Sequence, residues 1–183
     1  MPGGDPPHRG VPRASAADRV AMLALALREF PQLTLDTREV ARGGKSYTVD
    51  TLAELRAEMP TRPLLLLAGA DAFLGFPLWH RWKELFALAH IVVIPRPGVV
   101  LESRLEEPLA EEWRRRLTTD AGVLRTATAG SIYVQPVTAQ PISSTVIRTA
   151  LARGDMQSAE IAGLLPAAVL AYIESNRLYV PTR

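Results

Sequence analysis

The chain predicts an α/β fold: a Rossmann-like open, mostly parallel sheet with helices on both faces. Three observations point there. The apolar runs Leu64 to Ala68 and Ile91 to Ile94 do not alternate with polar residues, as expected of strands covered on both sides. Between such runs, apolar residues recur at helical spacing. The resulting alternation of helices and strands argues for parallel strands joined by right-handed crossovers.

The elements follow in chain order. Residues 1–14 hold four prolines and three glycines and read as a loop leading into one domain. Ser15 and Asp18 have capping-box spacing, and Val20, Leu23 and Leu27 then form a helical stripe that Pro31 stops. Leu33-Thr-Leu35 reads as a short strand with alternating faces, and Asp36 to Lys45 as a polar, glycine-punctuated loop. Val49, Leu52, Leu55 and Met59 mark a helix ended by Pro60, after which the strand Leu64 to Ala68 closes at Gly69. A helix from Arg81 to Leu88 precedes the strand Ile91 to Ile94. Leu105, Leu109, Trp113 and Leu117 mark the next helix, Ile132 to Val134 the last strand, and Val146 to Arg153 a helix ended by Gly154.

Composition narrows the function classes. At 183 residues and 48% hydrophobic, the chain fills one core as a single domain over residues 1–183. Its 21 basic and 19 acidic residues leave a formal charge of +2, too small an excess for a general nucleic-acid binder. Without cysteine there is no disulfide framework, thiolate metal site or cysteine nucleophile. No apolar run approaches the ~18 residues that span a bilayer, and the first ten residues lack the apolar stretch of a signal peptide. The expectation is a cytoplasmic protein with no membrane partner.

Ligands of open α/β sheets sit beyond the carboxyl ends of the strands. The loops there are Gly69-Ala70-Asp71, Pro95-Arg96-Pro97-Gly98 and Pro141-Ile142-Ser143-Ser144-Thr145. The last runs into a helix with Arg148 in its first turn. Helix-terminal N–H groups, hydroxyls and a guanidinium make a site for a polyphosphate; alternatively Ser144 or Thr145 only caps the helix and Arg148 is solvated. Thr48 is either a cap or a ligand contact, and Asp71 either binds a ribose hydroxyl or caps the following turn. Trp79 either stacks on an aromatic ring or packs in the core. His80 and His90 have no third partner at zinc-ligand spacing, and His90, before an apolar strand, reads as structural.

Read together, six segments are similar to the bacterial nicotinate-nucleotide adenylyltransferases of NAD synthesis. They are Asp5-Pro-Pro-His8-Arg9, Ser46-Tyr47-Thr48-Val-Asp-Thr-Leu52, Gly69-Ala-Asp71-Ala-Phe73, Trp79-His80, Arg96-Pro97-Gly98 and Ile142-Ser-Ser-Thr145-Val-Ile-Arg148. Each is weak alone, but six in family order over essentially the whole chain are specific. The resemblance implies transfer of AMP from ATP to nicotinate mononucleotide, giving nicotinate adenine dinucleotide and pyrophosphate. It implies substrate contacts from His8, Arg9, Tyr47, Thr48, Asp71, Trp79 and His80, with Trp79 stacking on the pyridine ring. It assigns ATP to Gly69, Asp71, Arg96, Ile142, Ser143, Ser144, Thr145 and Arg148. Mg2+ is expected to arrive with ATP, bridging its phosphates without dedicated protein ligands. A homo-oligomer is compatible with the resemblance.

One departure stands beside these matches. Members of the family open with a strand, Gly-Gly-Thr-Phe-Asp-Pro and then His-x-Gly-His, whose histidines contact the phosphates. The three histidines here are His8, His80 and His90, and no His-x-Gly-His occurs. The expectation is therefore that a β-α-β unit of roughly 30 to 45 residues is missing ahead of Met1 and that the catalytic motif lies outside this chain. Two other readings stay open: a non-catalytic nucleotide-binding module, and an adenylyltransferase for another phosphorylated acceptor such as phosphopantetheine.

Overall fold

The apolar runs pair into a parallel sheet in the computed structural model, which describes residues 14–95, 100–138, 144–154 and 163–179. Its strands are β1 (Leu65–Gly69), β2 (His90–Ile94), β3 (Leu117–Thr118) and β4 (Ile132–Val134), in the spatial order β1-β2-β4-β3. Gly69 stands opposite Ile94, and Val93 opposite Val134, so these strands end along one rim. The helices are α1 (Ala16–Ala26), α2 (Arg38–Arg42), α3 (Thr48–Glu58), α4 (Ala70–Leu74), α5 (Leu85–Leu88), α6 (Leu109–Arg116), α7 (Val123–Thr126), α8 (Ser144–Ala152) and α9 (Ala167–Ser175). Among the described residues no helix is long and apolar enough to cross a membrane.

The described residues form two compact units, with boundaries at Ser46/Tyr47 and Ala139/Gln140. The sheet unit holds α3 to α7. Its core joins Phe73, Phe76, Leu85, Phe86, Ile91, Val93, Trp113 and Ile132. Phe73 meets Phe76 edge-on with ring centroids 5.2 Å apart, and lies 5.7 Å from Trp113. Buried residues Ile91 to Val93 explain the unbroken apolar run of β2. The expectation for Leu64 to Ala68 needs correction: Ala68 is buried, but Leu65 is 44% and Leu67 64% exposed. Only one face of β1 packs on the core, and among the described residues β1 pairs with β2 alone.

Two polar side chains hold the amino-terminal side of this sheet. His90 is fully buried; its Nε2 lies 2.9 Å from the Ala127 carbonyl and its Nδ1 accepts the Ser131 N–H at 3.1 Å. A carbonyl only accepts and an N–H only donates, so this pair of partners selects the neutral Nε2–H tautomer. Arg56 of α3 donates to the carbonyls of Met59, Arg62, Leu88 and Thr128, joining the end of its own helix to two other segments.

The other unit holds α1, α2, α8 and α9. The capping box forms as expected: the Ser15 hydroxyl accepts the Asp18 N–H at 3.1 Å, and the Asp18 carboxylate accepts the Ser15 N–H at 3.3 Å. Ala150 and Leu151 of α8 and Val169 and Ile173 of α9 form a small core against which Met22, Leu25 and Ala26 of α1 pack. Tyr172 of α9 donates its hydroxyl to Asp18 at 3.0 Å.

Three further expectations change. Leu33 to Leu35 forms no strand; the Leu33 N–H turns back to the Phe30 carbonyl at 2.9 Å and Leu33 is 54% exposed. The stretch expected to be loop after Asp36 contains α2, started by the Asp36 carboxylate, which accepts the Arg38 N–H at 2.9 Å and its Nε at 2.7 Å. The helix expected from Leu105 to Leu117 is shorter: Pro108 precedes its first residue, and Leu117 turns extended to begin β3.

Candidate functional site

At the carboxyl end of β1, Gly69 closes the strand and opens α4 with an extended backbone, φ −64° and ψ 153°. Among the described residues, a Cβ placed on Gly69 would meet nothing within 4 Å. Asp71, two residues on, does not cap α4. Its half-exposed carboxylate lies 3.9 Å from the guanidinium of Arg104.

After α4 a 3-10 turn, Phe76–Leu78, sets the chain for the next segment. Phe76 is fully buried, and the half-buried Trp79 rests on it with ring centroids 4.6 Å apart at 44°. His80 then lays its ring 4.4 Å from that of Tyr47, tilted by 38°. Tyr47 is the extended residue before α3, whose first N–H groups it serves with its carbonyl: Asp50 N–H at 3.1 Å and Thr51 N–H at 3.3 Å. Thr48 is the first helical residue, and no side-chain cap bond is made there. The two aromatic segments, distant in sequence, therefore meet in one place.

Charges frame these rings. Arg81, next to His80, binds Glu84 through two bonds of 2.8 and 2.5 Å and reaches the Asp50 carboxylate of α3 at 3.4 Å. Hydrogen bonding from Arg81 holds the Glu84 carboxyl below its ordinary range, and the same contact raises the Arg81 guanidinium. Sequence reasoning missed Arg81 and Arg104. Neither lies in a motif of its own, and the adjacency of Arg81 to Trp79-His80 was the only available signal.

In the other unit, Ser144 and Thr145 are exposed at the start of α8, and the Arg148 guanidinium donates to the Thr145 hydroxyl at 3.4 Å. Hydroxyls, terminal N–H groups and a cation thus share one helix end, as an anion site requires. His8, Arg9, Arg96, Pro97, Gly98, Ile142 and Ser143 lie outside the described residues.

A parallel sheet with helices between its strands defines the class as an open α/β protein. The cytidylyltransferase-like family model matches residues 1–150. A protein of Dechloromonas aromatica named "Probable nicotinate-nucleotide adenylyltransferase" is 45% identical over 98% of this chain and 82% of its own length. One of Halorhodospira halophila with the same name is 46% identical over 92% of this chain and 75% of its own. The chain belongs to the cytidylyltransferase-like family, among its nicotinate-nucleotide adenylyltransferases. The fold also matches the Plasmodium falciparum nicotinic acid mononucleotide adenylyltransferase complexed with NaAD, at TM-score 0.61, 14% identity, and coverage of 96% of this chain and 78% of that one.

Proposed function

We infer that this protein is a nucleotidyltransferase of NAD biosynthesis that joins ATP and nicotinate mononucleotide. An oxygen of the acceptor's 5′-phosphate attacks the α-phosphorus of ATP in line. The new P–O bond gives nicotinate adenine dinucleotide as the bond to the β-phosphate breaks, and pyrophosphate leaves with the electron pair. No protein nucleophile is needed, so the protein's work is to align two anions and offset their repulsion. The observation that carries this reading is the meeting of Tyr47 and His80 at 4.4 Å, next to Trp79, in a chain of this family.

The residues take the following parts. Tyr47, Thr48, Trp79 and His80 hold the nicotinate ring, for which a flat, partly buried aromatic surface is a suitable bed. Gly69, Asp71 and Arg96 face the nucleotides, and His8 and Arg9 approach the substrates. The segment Ile142, Ser143, Ser144, Thr145 and Arg148 grips the ATP phosphates. Magnesium enters as part of the ATP substrate, bridging its phosphates.

Titration calorimetry with nicotinate mononucleotide and with Mg-ATP, followed by an assay of pyrophosphate release, tests the reading. Saturable binding of both with release of pyrophosphate supports it. Binding of both without release would favour the non-catalytic module instead, and preference for phosphopantetheine as acceptor would replace the substrate.

A further inference from the structure

We infer that Arg81 is a positioning residue for the acceptor site: its guanidinium ties the Trp79-His80 turn to the start of α3. The inference rests on the acceptor assignment above. Arg81 takes φ 52° and ψ 36°, a left-handed conformation that a side chain with a Cβ adopts at a cost and that persists only where surrounding contacts over-determine it.

Three contacts hold it in place. Two hydrogen bonds to Glu84 close the 3-10 turn Trp82–Glu84 onto Arg81. The third contact, to Asp50 at 3.4 Å, crosses to α3. Asp50 lies in the first turn of α3, two residues after Thr48 and three after Tyr47. The same two segments are joined a second time by the Tyr47–His80 ring contact. One tie is aromatic and lies where a pyridine ring would enter. The other is ionic and lies beside it, so it keeps the two segments in register when the rings part to admit a ligand.

Three variants separate this role from a general effect on folding. Arg81→Gly keeps the left-handed backbone easy while removing the guanidinium; Asp50→Asn removes the opposite charge on an exposed helix turn; Arg81→Lys keeps the charge without the fork. Calorimetric titrations of the whole chain with nicotinate mononucleotide and with Mg-ATP, together with a thermal melt, are the measurements. Arg81→Gly is expected to weaken nicotinate mononucleotide about five-fold, the upper end for an exposed ion pair, with Mg-ATP affinity changed less than about two-fold. Arg81→Lys should restore part of the loss, and Arg81→Gly with Asp50→Asn should be no worse than Arg81→Gly alone.

Nicotinate mononucleotide affinity equal to the parent's in both Arg81→Gly and Asp50→Asn would overturn the inference alone, as would equal losses for both ligands. If Arg81→Gly melts at lower temperature, Asp50→Asn decides, since it leaves the turn's backbone untouched. A parent chain that binds Mg-ATP but no nicotinate mononucleotide would instead remove the acceptor assignment, and this inference with it.

Discussion

Trp79 leans on Phe76, a residue with no exposed surface, and keeps part of its own indole open. One face anchored and one available is the arrangement a stacking residue needs. Base-on-aromatic stacking is worth ~1 to 3 kcal/mol per base, so Trp79→Ala should weaken nicotinate mononucleotide about ten-fold or more while leaving Mg-ATP affinity within about two-fold, by calorimetry. Equal loss of both ligands would place Trp79 in the core instead. His90 is the contrasting residue, with all its chemistry spent inside the protein. His90→Ala removes the partner of the Ser131 N–H and of the Ala127 carbonyl and opens a cavity at a fully buried position, costing about 2 to 5 kcal/mol. The urea midpoint reports this, and an unchanged midpoint would show that the ring's two bonds and its packing contribute nothing to stability. At this scale the site was half legible. Tyr47, Trp79 and His80 announce themselves because aromatic and imidazole chemistry is rare in the chain. That Tyr47 touches His80, or that Arg81 bridges to Asp50, depends on tertiary approach that no local spacing encodes.

Among the elements, α1 shows how far a local signal reaches. Ser15 and Asp18 satisfy two amide donors that the first helical turn would leave unpaired. Ser15→Ala should therefore cost about 1 kcal/mol, read as a lower urea midpoint in far-ultraviolet dichroism. A loss below a few tenths would show that packing against α9, not the cap, sustains α1. The same local logic made α3, α8, β2 and β4 readable, because stop residues and apolar period agree there. It failed where tertiary pairing decides. Leu33 to Leu35 alternates like a strand but pairs with no strand among the described residues and remains coil. Leu117 continues the apolar period of α6 yet joins the sheet, because β4 offers it a ladder at Ile132. The exposed Leu65 and Leu67 belong to this class too: a run of leucines looks the same whether one face of its strand is covered or both.

Across the whole molecule, the perturbed ionisable groups fix how stability must vary with pH. Four carboxyls sit below their ordinary values. Asp18 does so through the Ser15 hydroxyl and then Tyr172, Glu84 through Arg81, and Glu107 through Arg114. At Asp36 burial opposes ionisation, but the Arg38 N–H and guanidinium outweigh it. A lowered carboxyl is deprotonated in the folded chain where the unfolded chain still holds its proton, so acid favours unfolding. Their contribution is whole above the ordinary values of 4.5 for glutamate and 3.8 for aspartate, and disappears as pH falls below them. Tyr172 shifts the other way: its hydrogen bond to Asp18 raises it above its ordinary value of 10.0. There the folded chain holds the proton more tightly, so the contribution is whole below pH 10.0 and is lost as pH rises through the raised value. The urea midpoint should thus be flat near neutrality and fall on both sides. Because Asp18 and Tyr172 share one bond, two variants dissect the profile. Asp18→Asn should flatten part of the acid limb, and Tyr172→Phe should remove the alkaline decline assigned to the phenol. A Tyr172→Phe profile that follows the parent's above pH 10.0 would mean that the bond between α9 and the cap of α1 contributes nothing to holding that unit together.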